Sequence, residues 1–132
     1  RAEFADPDLF PAADRVIHHS FEAFGGELEL TSRDHAVVMT RGHQADYAVL
    51  RQLLRTQTDY IGCIGSRQKV ALTREKLLAE GFAECDIDRI HAPVGLPIGA
   101  ETPAEIAVSV AAEMVLCRAQ RAAEAPGDAP NA

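Results

Sequence analysis

The sequence predicts an α/β fold: a parallel sheet with helices on both faces. Three observations predict it. Ala36 to Thr40 (AVVMT) and Tyr60 to Ile64 (YIGCI) are short, continuous apolar runs without polar alternation, the pattern of strands buried on both faces. Each run is followed by residues with helical spacing. Glycines stand at both junctions. The chain supplies three clear strands, where a doubly wound sheet has about five or six. The predicted sheet is therefore incomplete at its N-terminal side.

The elements follow in order. Residues 1–13 carry Asp6-Pro7 and Phe10-Pro11, which predict an ordered loop or broken turn. Arg15 to His18 (RVIH) is a short strand candidate. Phe21 to Phe24 reads as a helical turn, stopped by Gly25-Gly26. The AVVMT strand comes next. Tyr47, Leu50, Leu53 and Leu54 then mark the apolar face of a helix. After YIGCI, Ser66 opens a helix to about Glu80, with Val70, Leu77 and Leu78 inside and Gly81 terminating it. Residues 84–90 read as a short helix, and HAPVGLPIGAE as a loop or very short strand. Thr102, Pro103 and Glu105 form a capping box with proline at the first helical position. The helix they start, 103 to about 122, is apolar almost all round, which predicts packing on more than one side. The organisation is one partial domain over 1–118 and a small-residue tail over 119–132, expected to be disordered.

The 132 residues suffice for one core, burying about 68% of the unfolded surface. Thirteen basic and twenty acidic residues give a formal charge of −7. That balance disfavours nucleic-acid binding by bulk charge but leaves room for a local basic pocket. No run is long enough for a membrane span, and the start lacks signal-peptide regions. Cys63, Cys85 and Cys117 form no CxxC pair, so the thiols read as reduced and the expected location is the cytoplasm. The chain opens on Arg1, not Met, and reads as a piece of something longer.

Three segments have residue types suited to chemistry. Thr40-Arg41-Gly42-His43 with Asp46 lies at the carboxyl end of a strand, where open α/β sheets bind ligands. Arg41 suits a phosphate and His43 a proton relay; a polar strand-to-helix turn explains the same residues. Gly62-Cys63-Ile64-Gly65-Ser66-Arg67 with Lys69 leads a strand through glycines into a helix N-terminus, which attracts anions. A tight turn with a serine cap is the equal alternative, and Cys63 reads as a small buried hydrophobe. The third segment, from His91 to Thr102, bends through two prolines and two glycines, Gly95 and Gly99, and delivers Glu101 and Thr102 to the next helix. It is either a structural corner or a pocket wall. No metal-ligand spacing and no Ser-His-Asp order is apparent, so no catalytic or metal residue is assigned.

Together, MTRGHQADYAVLRQLL, YIGCIGSRQKVALTREKLLAEGF and IHAPVGLPIGAETPAEIAVSVAAEMV resemble the Rossmann-type C-terminal domain of the XdhC/CoxI family. These are accessory proteins of xanthine dehydrogenase and related molybdenum hydroxylases. The YIGxIGSRxK and GLxIGAETPxEIA blocks, in that order, carry the resemblance, which covers Arg1 to about Arg118. It implies a maturation chaperone that binds the molybdenum cofactor and delivers it to an apo molybdenum hydroxylase, with a cysteine desulfurase as a further partner. The cofactor would be molybdopterin or its dinucleotide form. Its phosphate would meet Gly62, Gly65, Ser66, Arg67 and Lys69. Thr40, His43 and Asp46, with Gly95, Gly99, Glu101 and Thr102, would line the same crevice. The family's first strand-helix-strand unit, with its GxGxxG turn, is absent from these residues. None of the three cysteines matches the cysteine of the family's N-terminal domain. The runner-up is an NAD(P)-dependent oxidoreductase or nucleotidyltransferase using the same crevice. A third alternative is a degenerate fragment acting through oligomerisation. An open sheet edge is expected to be covered in a homodimer or strand-swapped oligomer.

Overall fold

A computed structural model of the chain describes residues 1–24 and 26–124. Three parallel strands form one sheet: β1 (His35–Val38), β2 (Tyr60–Cys63) and β3 (Ile90–His91), in the order β1-β2-β3. Ala36 pairs with Ile61 and Val38 with Cys63; Ile61 in turn pairs with Ile90. Helices α1 (His43–Leu53), α2 (Arg67–Glu80), the short α3 (Glu84–Ile87) and α4 (Pro103–Glu124) connect and cover them. This is the predicted parallel α/β architecture, with a partial sheet.

β2 is central and buried at all four positions. β1 differs from the expectation in length and in burial. It begins at His35, ends at Val38, and buries only Val38. The cause is its position at the sheet's edge among the described residues. Ala36 and Val38 face the core with α1 and α2, but the opposite face, which holds Val37, is 37% exposed at that residue. Val38, Leu50, Leu53, Leu54, Ile61, Cys63, Leu77 and Ile87 make the core.

Several sequence expectations are corrected. Arg15 to His18 is not a strand: no neighbouring strand pairs with it, and Val16 alone of its residues is partly buried. Phe21 to Phe24 is a hydrogen-bonded turn rather than a helix, with Ala23 N donating to Ser20 O. Of the expected glycine stop, Gly25 lies outside the described residues. The N-terminal loop contains two single 3-10 turns, Ala2–Phe4 and Pro7–Leu9. Leu78 is 38% exposed rather than inward, because Leu77 alone occupies the buried meridian of that turn. α4 does not pack on several sides; only Ser109 and Val110 are buried, since the sheet covers one face. α4 runs on through residues 119–124, and the rest of the expected tail, 125–132, lies outside the described residues.

The local signals place the helix ends. Ser66 caps α2 by accepting from Lys69 N, and Gly81 ends it in the left-handed conformation with φ 102°. Thr102 and Glu105 form the capping box: Glu105 N donates to Thr102 Oγ1, and Glu105 Oε2 accepts from Thr102 N. No helix among the described residues is long and apolar enough to cross a membrane.

Candidate functional site: a cationic edge

Parallel strands bring all their carboxyl ends to one edge of the sheet. Three loops meet there: the turn into α1, the turn into α2, and the long approach to α4. The last is fastened at several points. Val94 N donates to Cys63 O at 3.0 Å, Leu96 N to Ser109 O at 3.1 Å, and Gly95 N to Glu113 Oε1 at 3.1 Å. The Ala92-Pro93 peptide is cis. Between this loop and the start of α2 lies a cleft of about 440 Å³, lined by Gly65, Arg67, Gly95, Gly99 and Ile106 among others.

The structure divides the expected crevice. Gly65, Arg67, Gly95 and Gly99 share that cleft. His43, Asp46 and Lys69 instead line a second cavity of about 180 Å³ between α2 and the sheet, walled by Leu50, Cys63, Leu77 and Ile87. Arg41 and His43 also border a shallow depression beside Ser20 to Glu22. Ser66 stands at the head of α2 and lines none of these spaces.

Some of these residues have local structural work. Thr40 Oγ1 donates to Asp46 Oδ1 at 2.5 Å, and Thr40 N donates to the same oxygen at 3.2 Å, fastening the turn into α1. Thr102 is engaged in its capping box, and Glu101 is exposed with its N–H on Glu105 Oε2. Gly62 and Gly95 are required by packing. A Cβ on Gly62 would fall 2.5 Å from Val94 Cγ2, and one on Gly95 would fall 2.3 Å from Ser109 Oγ. A Cβ on Gly99 would meet open space.

Electrostatics distinguish this edge. Most cations elsewhere are engaged: Arg51 and Arg55 with Glu80, Arg74 with Asp88, Arg121 with Asp59, and Arg89 with the carbonyls of Leu54, Thr56 and Thr58. Among the described residues, Arg41, Arg67 and Lys69 have no side-chain partner. Arg67 and Lys69 stand in the first turn of α2, whose N–H groups carry partial positive charge, while Arg41 borders the separate depression at the start of α1. Burial first, and the nearby Asp46 second, push the Cys63 thiol up to about 12, so it stays protonated. No group of three or more His, Cys, Asp or Glu among the described residues is arranged to hold a metal ion.

Sequence reasoning missed a polar array beneath α4. Tyr60 Oη donates to Glu113 Oε1, and the Tyr60 ring stacks on His91 at 4.8 Å. Cys117 Sγ lies 3.5 Å from His91 Nε2. The available signal was Glu113, an acid set between the apolar residues Val110 to Ala112 and Met114 to Leu116 of α4.

Residues 1–114 match the family model of the XdhC Rossmann domain. The chain belongs to this family. It is 40% identical over 114 residues to the uncharacterized protein YqeB of Escherichia coli K12, covering 86% of this chain and 21% of that protein. It is 37% identical over 118 residues to a probable xanthine dehydrogenase component from Bacillus subtilis, covering 89% of this chain and 34% of that one. A crystal structure of a xanthine dehydrogenase from Bacillus halodurans superimposes with a TM-score of 0.77 at 29% identity, covering 97% of this chain and 36% of that chain. The XdhC-type domain thus spans between a fifth and somewhat over a third of the length of these relatives.

Proposed function

We propose that this domain holds the phosphate end of the molybdenum cofactor and serves as an accessory to a molybdenum hydroxylase of the xanthine dehydrogenase type. The observation that carries this reading is the pair Arg67 and Lys69 in the first turn of α2, both without side-chain partners among the described residues, in a chain of net charge −7. An anion is the ligand such a site favours, through charge-assisted hydrogen bonds and helix N–H groups. A partner of the xanthine dehydrogenase type makes a phosphorylated pterin or its dinucleotide form the anion expected at this site.

The donor set fits the phosphate part of that group. Arg67 offers a planar fork, Lys69 a mobile point charge, and Gly65 leaves the approach to α2 unobstructed. When bound, the cofactor supplies the redox-active metal centre used by the hydroxylase. This chain's own residues bind and orient. The cleft beside Gly99 is open rather than enclosed, which suits a ligand that is handed on.

The test is anaerobic equilibrium titration of the full-length protein with molybdopterin released from a molybdenum hydroxylase. Saturable binding is expected. Replacing both Arg67 and Lys69 by alanine should weaken it by about ten- to a hundredfold per lost charged contact. Absence of molybdopterin binding, together with saturable NAD(P)H binding, would overturn the reading in favour of an oxidoreductase.

A further inference from the structure

We propose that the cavity between α2 and the sheet is a binding site for a small heteroaromatic ring carrying one N–H donor, with Asp46 as the acceptor. The cavity has a volume of about 180 Å³, and its walls include residues of α1, β2, α2, α3 and β3. No residue of β1 lines it, so the open edge of the sheet is not part of it. The deep walls are apolar: Leu50, Leu77 and Ile87 are almost fully buried. Of the charged residues that line it, His43, Lys69, Arg74 and Asp88 are all at least partly exposed. Asp46 is the exception, at 9% exposure. Its Oδ1 accepts from both Thr40 N and Thr40 Oγ1. Among the described residues, its Oδ2 accepts no hydrogen bond and no cation pairs with the carboxylate. Its charge also lies close enough to Cys63, in the same wall, to raise that thiol. Deeply buried polar groups are normally matched by donors, so the idle oxygen points to a ligand.

Size and hydrogen-bonding capacity define that ligand. An apolar cavity of about 150 Å³ holds benzene, so this one takes a single aromatic ring or a compact fused pair. The N–H of an indole-type ring is a donor only, with no acceptor to leave unpaired. It would give Asp46 Oδ2 one charge-assisted bond while the ring lies against Leu50, Leu77 and Ile87. A primary ammonium brings three donors, and an amide or hydroxyl brings an acceptor; against these apolar walls the surplus groups stay unpaired. An anion in the cavity is repelled by the Asp46 charge. The inference rests on this cavity alone and is independent of the cofactor reading.

Equilibrium dialysis of the full-length protein tests it, with indole as the probe and benzofuran as its near-isostere lacking the N–H. Indole should bind saturably, and benzofuran about ten- to a hundredfold more weakly. Asp46→Asn keeps an oxygen for Thr40 and turns an NH2 group toward the cavity, so it should remove the preference for indole. Val70 lines the same cavity from α2 and is only partly buried. Val70→Leu and Val70→Phe fill the space progressively without touching the turn into α1, and should weaken both compounds in that order. Absence of saturable indole binding, or benzofuran binding as tightly as indole, would overturn the proposal. So would a preference for indole that survives Asp46→Asn, or indole binding indifferent to both Val70 substitutions.

Discussion

Tyr60 Oη donates to Glu113 Oε1 across 2.5 Å and so joins the buried central strand to the last helix. The same oxygen accepts from Gly95 N and lies 3.8 Å from His91 Nδ1. One carboxylate therefore gathers β2, β3 and the loop that walls the cleft. Burial, then the bond to Glu113, raises the Tyr60 pKa. Tyr60→Phe keeps the ring and removes the donor. It should cost about 1.5–3 kcal/mol, the range for a hydrogen bond to a charged group. A lower urea midpoint at unchanged slope is the expected result.

The glycines of the approach loop should rank by their surroundings. Gly95 has φ +98° and Ser109 Oγ at 2.3 Å from its virtual Cβ, whereas Gly99 has φ +76° and open space. Gly99→Ala should cost about 1–2 kcal/mol, the left-handed penalty alone. Gly95→Ala adds an overpacking cost of about 1–3 kcal/mol. Thermal melts should place Gly95→Ala clearly below Gly99→Ala; the reverse order would contradict the packing argument.

Ser66 and Arg67 are neighbours with separable roles. Ser66→Ala removes the α2 cap and should cost about 0.5–2 kcal/mol. Arg67→Ala breaks no side-chain hydrogen bond or ion pair among the described residues and should stay within about 0.5 kcal/mol of wild type. Phosphate affinity should respond to Arg67→Ala nonetheless. Denaturation and titration on the same two variants read the two roles apart.

Glu80 predicts an acid limb in stability. Its carboxyl is held below the usual range, first by the Tyr47 hydroxyl and then by Arg51, whose Nη2 lies 2.5 Å away. A depressed folded value adds stability above the unfolded pKa of about 4.3, and that stability disappears as pH falls through the folded value. Glu80→Gln should therefore flatten the fall in urea midpoint below roughly pH 4.3 and lower the midpoint at neutrality. A variant with the wild-type pH profile would remove Glu80 from that role.

What was legible in the sequence is what depends on near neighbours. The Ser66 cap, the Gly81 stop and the Thr102–Glu105 box close within three residues, so composition and spacing suffice to place them. The parallel sheet followed from alternation of strands and helices. The exposed side of β1 did not, because exposure there depends on which element lies beside the strand. Arg15 to His18 misled for the same reason: a β-like run becomes a strand only with a partner. At the site, the loop rule brought Gly65 and Arg67 beside Gly95 and Gly99, but the separation of Lys69 into another cavity depends on the rotation of α2. The tight contacts of Gly62 with Val94 and of Gly95 with Ser109 join distant positions that no local pattern links.

Because no side-chain hydrogen bond or ion pair among the described residues engages Arg41, Arg67 and Lys69, they can mutate without unfolding the scaffold around them. Gly62, Gly95 and Glu113 lack that freedom. Divergence within such a domain should thus concentrate in the charges at the sheet edge, with new ligands acquired by exchanging cations while the glycine-packed frame stays fixed.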